Sequence, residues 1–170
     1  MPFTPYHLGP AIGFGLPLRK YVHLPTFIVA NVIVDVEPFL VLVLGSRYPL
    51  HGYLHTYISA FFLGIVVGSA MFLLEPYLSP LYRSLLLKTD NGPKRMSFIL
   101  AGVSGIMLHV TLDSPLYSDI RPFYPFTENP FYHPAITPEI YSFCVWMGLI
   151  GMLFYAGLLI LSVYGKFRRK

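Results

Sequence analysis

Histidines and carboxylates are few in this sequence, yet several of them stand four residues apart. His51 and His55 form one such pair, and His109 and Asp113 form another. Residues four apart share one face of a helix, so each pair could chelate a single cation. Asp113 could instead orient the His109 imidazole through a hydrogen bond. The spacing indicates metal chemistry, with ordinary helix packing as the alternative for each pair.

Two further acids, Asp35 and Glu37, are the only formal charges in the apolar run 24–44. A charge within a membrane span is costly and generally marks a functional site. Pro38 disfavours helix at the residue before it, which frees backbone to line a cavity. We therefore predict Asp35 as a metal ligand and Glu37 as a general base that flanks the ligands.

The predicted site combines these acids with the histidines of the same membrane level. Its principal metal ligands are predicted to be Asp35, His55, His109 and Asp113. His7 and His51 are additional ligands or residues that orient the ligands. The candidates for a direct catalytic role are Asp35, Glu37 and Asp113.

The available ligand types restrict the metal. The lone Cys144 lies in an apolar run, so the sequence offers neither a disulfide framework nor a thiolate site. Histidine and carboxylate ligands suit Zn²⁺ best, and they leave Mn²⁺, Fe²⁺ and Mg²⁺ as alternatives. The number of candidate ligands allows one ion or two.

The composition indicates that membrane helices position these residues. Of the 170 residues, 55% are hydrophobic and 12% are charged, against about 45 to 50% and about 25% in a soluble domain. A span needs about 20 apolar residues, and the runs that qualify are 24–44, 57–74, 96–112 and 140–164. Run 6–18 is short and rich in glycine and proline, which is typical of a re-entrant or half-length helix. The prediction is one all-α integral membrane domain, residues 1–170, with four spans and this short N-terminal helix.

Basic residues predict the orientation of the spans. Only Arg47 and Arg121 fall on one side, and the ten that share the other side are Arg19, Lys20, Arg83, Lys88, Lys94, Arg95, Lys166, Arg168, Arg169 and Lys170. Short basic loops stay cytoplasmic. We therefore expect a cytoplasmic C-terminus in the cell membrane and a site that faces outward. The basic tail suits a solvated helix end near anionic head groups, and we expect no nucleic-acid partner.

The connection 113–138 is long and rich in proline and aromatic residues. Long connections without regular structure are commonly lids or binding elements, and aromatic side chains favour the head-group level. We expect this connection to be external. It is either a lid over the site or a stiff interfacial connector.

The order of these motifs resembles that of a known family, the predicted membrane-bound metal-dependent hydrolases whose best-known bacterial members are LexA-regulated. That family has an early His, an acidic P-D-x-D pair after an apolar run, an H-R-G-x-T-H-S segment and a later H-x-x-x-D that ends a helix. The similar residues here are His7, Val34-Asp35-Val36-Glu37, His51-Gly52-Tyr53-Leu54-His55-Thr56, and His109 with Asp113.

Three departures accompany this resemblance. Val34 stands in place of the proline, Glu37 in place of the second Asp, and the arginine after the first histidine is absent. The resemblance implies a metal-dependent hydrolase. It transfers best to four positions, Asp35, His55, His109 and Asp113.

The residues and their level in the membrane favour metal-assisted hydrolysis. A bound cation lowers the pKa of its water and polarises a phosphoryl or carbonyl oxygen. A site at the outer level predicts a lipid or lipid-linked substrate, preferably a phosphoester. A divalent-cation transporter is an alternative, but the inner halves of the predicted spans carry almost no ionisable groups. A non-catalytic metal-binding subunit is another, for which a closed, fully protein-ligated site would be expected.

Overall fold

A computed structural model describes residues 5–87 and 94–167, the last three by their backbone alone. Within these residues the chain is helical and has no strand. The α-helices are α1 (Leu8–Leu18), α2 (Leu24–Ile33), α3 (Val36–Leu44), α4 (Tyr57–Ser84), α5 (Arg95–Asp113) and α6 (Thr137–Phe167). Single 3-10 turns occupy Pro5–His7, Tyr53–His55 and Pro134–Ile136.

Four segments are long and apolar enough to cross a membrane: Leu24–Leu44, Tyr57–Ser84, Arg95–Asp113 and Pro134–Tyr164. The predicted all-α membrane fold with four spans is therefore confirmed. α1 is the short N-terminal helix, and its 11 residues are too few to span a bilayer.

The second span is ten residues longer than the predicted run 57–74. The predicted run ended at residue 74 because it was limited to uncharged residues, whereas α4 continues through Glu75, Pro76 and Pro80. The helix continues because apolar side chains of its last turns are still buried against α5. Tyr82 packs with Met71 and Phe98 in an apolar cluster, which outweighs the local cost of the prolines.

The first span is interrupted at Val34 and Asp35, two residues before the position at which Pro38 predicts irregular backbone, and Glu37 itself is helical. α2 ends at Ile33, and α3 begins at Val36 with Asp35 directly before it. Pro38 falls in the first turn of α3, where its missing N–H would have no intrahelical partner. The break therefore places Asp35 at an interruption of the span, and not on the side of a continuous helix.

α5 lies at the centre of the bundle, between α2 and α4. Glycines allow α4 and α5 to approach closely, because a Cβ at Gly64 or Gly102 would collide with the backbone of the opposite helix. The stripe of small residues in α4 is thus explained by packing. α6 packs mainly against α1, through Gly9 and Gly13.

The helix order places the chemically active ends together. The start of α1, the break before α3, the start of α4 and the end of α5 lie at one end of the bundle. Arg19, Lys20, Arg83, Lys94 and Arg95 lie at helix ends on the opposite side. Lys88, Arg168, Arg169, Lys170 and the side chain of Lys166 lie outside the described residues. The side of the membrane that each end faces remains a prediction.

Candidate metal centre

Four side chains from three segments converge at this end of the bundle. They are the four predicted principal ligands, Asp35, His55, His109 and Asp113, and one ligand atom of each lies within 4.8 Å of all the others. All four are buried, with at most 3% of any residue exposed. The group could hold a metal ion, as the sequence predicts.

His109 is at the centre of the group. Its Nε2 lies 3.5 Å from Asp35 Oδ1 and 3.4 Å from Asp113 Oδ2. A tetrahedral ion with ligand bonds of about 2.0 to 2.2 Å separates its ligand atoms by about 3.3 to 3.6 Å. These contacts therefore have the spacing of ligands around a shared ion.

Hydrogen bonds on the opposite ring nitrogens orient both histidines toward the centre. His109 Nδ1 lies 2.8 Å from the backbone oxygen of Asn31, and His55 Nδ1 lies 2.9 Å from Glu37 Oε2. Both partners are acceptors, so each Nδ1 donates its proton to the partner and each Nε2 is directed toward the centre. Metal-ligating histidines are held in this way.

Several buried polar atoms of the centre make no hydrogen bond of regular geometry within the described residues, although some lie close to another group. They are His55 Nε2, His109 Nε2 beside the two carboxylates, Asp113 Oδ1 beside His7, and both side-chain polar atoms of Asn31. Asn31 is fully buried on α2, one turn before Asp35. Buried polar atoms are generally satisfied, so their concentration here is typical of a site that binds an ion or water.

His7 joins the centre through Asp113. Its Nε2 lies 3.0 Å from Asp113 Oδ1, and its ring lies 4.1 Å from the ring of His109. The buried His7 Nδ1 has no hydrogen-bond partner in the described part of the chain. His7 thus lies beside the four converging ligands, close enough to exchange a proton with the Asp113 carboxyl group.

His51 lies on the other side of the centre, with its ring 4.8 Å from that of His55. The segment between them is not an α-helix, since only Tyr53–His55 forms a 3-10 turn. His51 reaches the site because Asp119 holds it twice: Oδ2 accepts from the backbone N–H at 2.9 Å, and Oδ1 lies 3.0 Å from the ring Nδ1.

Asp119 is a member of the site that the sequence does not single out. Burial by itself would raise the pKa of its carboxyl, but the hydrogen bonds from His51 lower that pKa below its usual value. The one feature of the sequence that could have indicated Asp119 is its position in the connection that follows Asp113. The pairing with His51 spans 68 positions, which no local pattern shows.

Glu37 holds the segment that carries His55. Oε2 accepts from the Gly52 N–H at 3.1 Å in addition to contacting the His55 ring. Oε1 accepts from the Leu54 N–H at 3.2 Å and from the Tyr48 hydroxyl at 3.3 Å. These contacts place the carboxylate behind His55, on the ring nitrogen that faces away from the centre. Its role as a general base remains a prediction.

The connection 113–138 is attached to α5 and covers His51. The Asn129 amide donates to the backbone oxygens of Ser114 and Tyr117 at 2.7 and 3.2 Å. The Tyr117 ring lies 4.1 Å from that of His51, and Asp119 binds the same histidine. Its aromatic residues therefore contribute directly to the wall of the site.

Two histidines lie away from the centre. His133 is exposed in the connection before α6. His23 lies at the opposite end of the bundle, with Nδ1 2.8 Å from Thr26 Oγ1 and Nε2 3.4 Å from the buried Glu75. The extension of α4 beyond residue 74 thus creates a second buried polar pair.

No protein family, no curated protein and no solved structure matches this chain.

Proposed function

We propose that this protein is a membrane-bound, metal-dependent hydrolase that acts at the outer membrane face on a lipid or lipid-linked ester, preferably a phosphoester. The proposal is carried by the buried group of Asp35, His55, His109 and Asp113. In that group both histidines have Nδ1 anchored, and the buried Nε2 of each makes no hydrogen bond of regular geometry within the described residues. This orientation is the one required for metal binding, and Zn²⁺ is the preferred ion.

In the proposed reaction, the four candidate ligands and His7 have different roles. A bound ion supplies an acidified water and polarises the ester oxygen. Asp35, His55, His109 and Asp113 would hold the ion, and the two carboxylates would balance its charge. His7, within 3.0 Å of Asp113 and with its second nitrogen unpartnered among the described residues, is placed to move a proton.

An apolar groove beside His7 supports a lipid substrate. A cavity of about 430 Å³ lies between the start of α1 and the first half of α6, lined by residues that include Tyr6, Gly9 and Cys144. Tyr6, which precedes His7, is 41% exposed. An acyl chain in this groove would bring an ester bond to the level of the metal centre.

The transporter alternative requires a polar path through the bundle. The second buried pair begins at Glu75, 18 residues beyond Tyr57, or about 27 Å along α4 at 1.5 Å per residue. Between the two ends lie apolar clusters that include Ala30, Phe27 and Ile106. Of the buried polar side chains between the two ends, the described residues provide Thr26, which contacts His23, and Asn31, and these two are five residues apart on α2, about 7.5 Å at 1.5 Å per residue.

A structural metal site is the second candidate function, because burial of all four ligands favours it. A structural ion is enclosed by protein ligands, whereas a catalytic ion keeps a position for water or substrate. The two candidates agree on metal binding. They differ only in turnover.

The test combines metal analysis with a substrate screen of the purified full-length protein. We expect wild type loaded with Zn²⁺ or Mn²⁺ to retain at least one ion, and His109→Ala and Asp113→Asn to lose it. His133→Ala is the matched control, because His133 is exposed and outside the centre. The substrates are lipid phosphates, lipid-linked pyrophosphates and acyl esters.

Each outcome of this test supports or refutes one function of the site. Wild-type protein without metal after reconstitution refutes the metal centre. Bound metal without turnover or ion flux supports the structural role, and bound metal with cation flux through vesicles supports the transporter. Metal-dependent turnover that His109→Ala abolishes and His133→Ala retains supports the hydrolase.

A further inference from the structure

A second cavity, of about 390 Å³, lies beside the metal centre between the connection α3–α4 and the connection α5–α6. His51 and Thr56 line it, and the His51 ring is 4.8 Å from that of the ligand His55. Tyr53 and Tyr124, also in its lining, are 56% and 38% exposed. The cavity therefore opens to the surface at the end of the bundle where the metal centre lies.

The charged groups of this cavity are Asp119 and Arg121. Both oxygens of Asp119 are bound to His51, one by the backbone N–H and one by the ring. Arg121 has no carboxylate within salt-bridge distance in the described part of the chain. The exposed guanidinium is thus the charged group of the cavity that makes no ion pair within the described residues, and Ser118 and Thr127 add hydroxyl groups to the same wall.

We propose that this cavity binds the phosphate head group of a membrane lipid, with Arg121 as the residue that contacts the phosphate. The planar guanidinium binds phosphate oxygens through two parallel hydrogen bonds. The proposal rests on the proposed function, because it places the phosphate of a substrate next to His51 and the metal centre.

Size and wall chemistry favour a lipid over free phosphate. A volume of about 390 Å³ lies in the range of about 300 to 1,000 Å³ typical of sites for larger organic ligands. Tyr48, Tyr53 and Tyr124 add aromatic surface that a phosphate ion would leave unused but the glycerol esters of a lipid would cover. The cavity also lies where the spans begin, at the depth of head groups.

The test measures binding without metal or turnover. Full-length protein in detergent is treated with a chelator, and short-chain phosphatidic acid, short-chain phosphatidylcholine and inorganic phosphate are titrated by calorimetry. The variants are Arg121→Gln, Arg121→Lys and, as a matched control, Arg47→Gln. Arg47 is exposed at the same end of the bundle but does not line the cavity.

We expect phosphatidic acid to bind more tightly than the other two probes. Arg121→Gln should weaken that binding about ten- to hundredfold, the usual effect of losing hydrogen bonds to a charged group. Arg121→Lys should retain part of the affinity, and Arg47→Gln should retain all of it.

Equal binding by wild type and Arg121→Gln would overturn the proposal, and equal affinity for phosphatidylcholine, whose phosphate is a diester, would overturn the preference for a terminal phosphate group. Inorganic phosphate that binds as tightly as the lipid would overturn the assignment to a lipid head group. Because no metal is present, these outcomes are independent of the hydrolase proposal. If the protein binds phosphatidic acid through Arg121 but hydrolyses no substrate, the result supports the lipid-binding cavity and refutes the proposed hydrolase function.

Discussion

At the scale of single residues, the groups that hold the histidines matter as much as the histidines. The Asn31 carbonyl and the Glu37 carboxylate each occupy one Nδ1. An imidazole without such a partner can rotate or change tautomer, which weakens its bond to a metal. The metal affinity that we propose for this centre should therefore depend on residues that are not ligands themselves.

Glu37 provides the first prediction. Because its carboxylate orients His55 and accepts two backbone N–H groups of the same segment, Glu37→Gln should weaken metal binding about 10- to 100-fold. Competition with a chelator of known affinity measures the change. Glu139→Gln, at an exposed position of α6, is the control.

A different result would restore the sequence-based role of Glu37. If Glu37→Gln kept full metal affinity but lowered the turnover rate by about 10²- to 10⁴-fold, the carboxylate would act as a general base. The two roles are thus separated by one pair of measurements on one variant.

Asp119 provides the second prediction, on pH. Its pKa is lowered in the folded protein because the bonds from His51 outweigh the effect of burial. A depressed carboxyl pKa stabilises the fold fully above the ordinary value of 3.8, and this contribution is lost as the pH falls through the folded-state pKa.

Asp119→Asn should therefore lower the free energy of unfolding by about 1 kcal/mol at neutral pH, a modest amount because the side chain is 37% exposed. The difference from wild type should stay constant down to about pH 4 and shrink below it. Unfolding curves at several pH values check this. A difference that grew on acidification would contradict it, and Glu128→Gln, exposed in the same connection, is the control.

At the scale of elements, the close crossing of α4 and α5 controls the position of the site, because α5 carries His109 and Asp113. A Cβ at Gly102 would meet the backbone oxygen of Gly64. Gly102→Ala should therefore separate the helices, destabilise the protein by about 1 to 3 kcal/mol and reduce metal occupancy.

Gly157 is the matched control for that substitution. It lies in α6, and a Cβ there would have nothing within 4 Å. Gly157→Ala should be neutral or slightly stabilising, since alanine is the better helix former. Thermal unfolding in detergent measures both variants, and equal melting temperatures would contradict the packing argument.

The elements also show what the sequence can and cannot predict. Apolar runs predicted all four spans, since lipid imposes a length and a composition on each helix. The end of α4 was predicted ten residues too early, because Tyr82 packs on Phe98, a contact outside the local pattern. His109 and Asp113 were identifiable because one helical turn joins them, whereas Asp119 meets His51 only through the fold.

At the scale of the whole molecule, the membrane orientation gives the fourth prediction. Ser118 and Ser84 are exposed at opposite ends of the bundle. In a Cys144→Ser background, cysteine at position 118 should react with an impermeant thiol reagent in intact cells, and cysteine at position 84 should react only after lysis. The reverse pattern would place the metal centre on the cytoplasmic side.

The packing of α1 on α6 determines when the site becomes complete during synthesis. α1 follows His7, which contacts Asp113, but α1 is too short to cross the membrane alone and packs mainly against α6. The ribosome makes His7 well before it makes α6. A nascent chain that stalls before α6 therefore already contains all four candidate ligands but lacks most of the support that holds α1, and with it His7, in place.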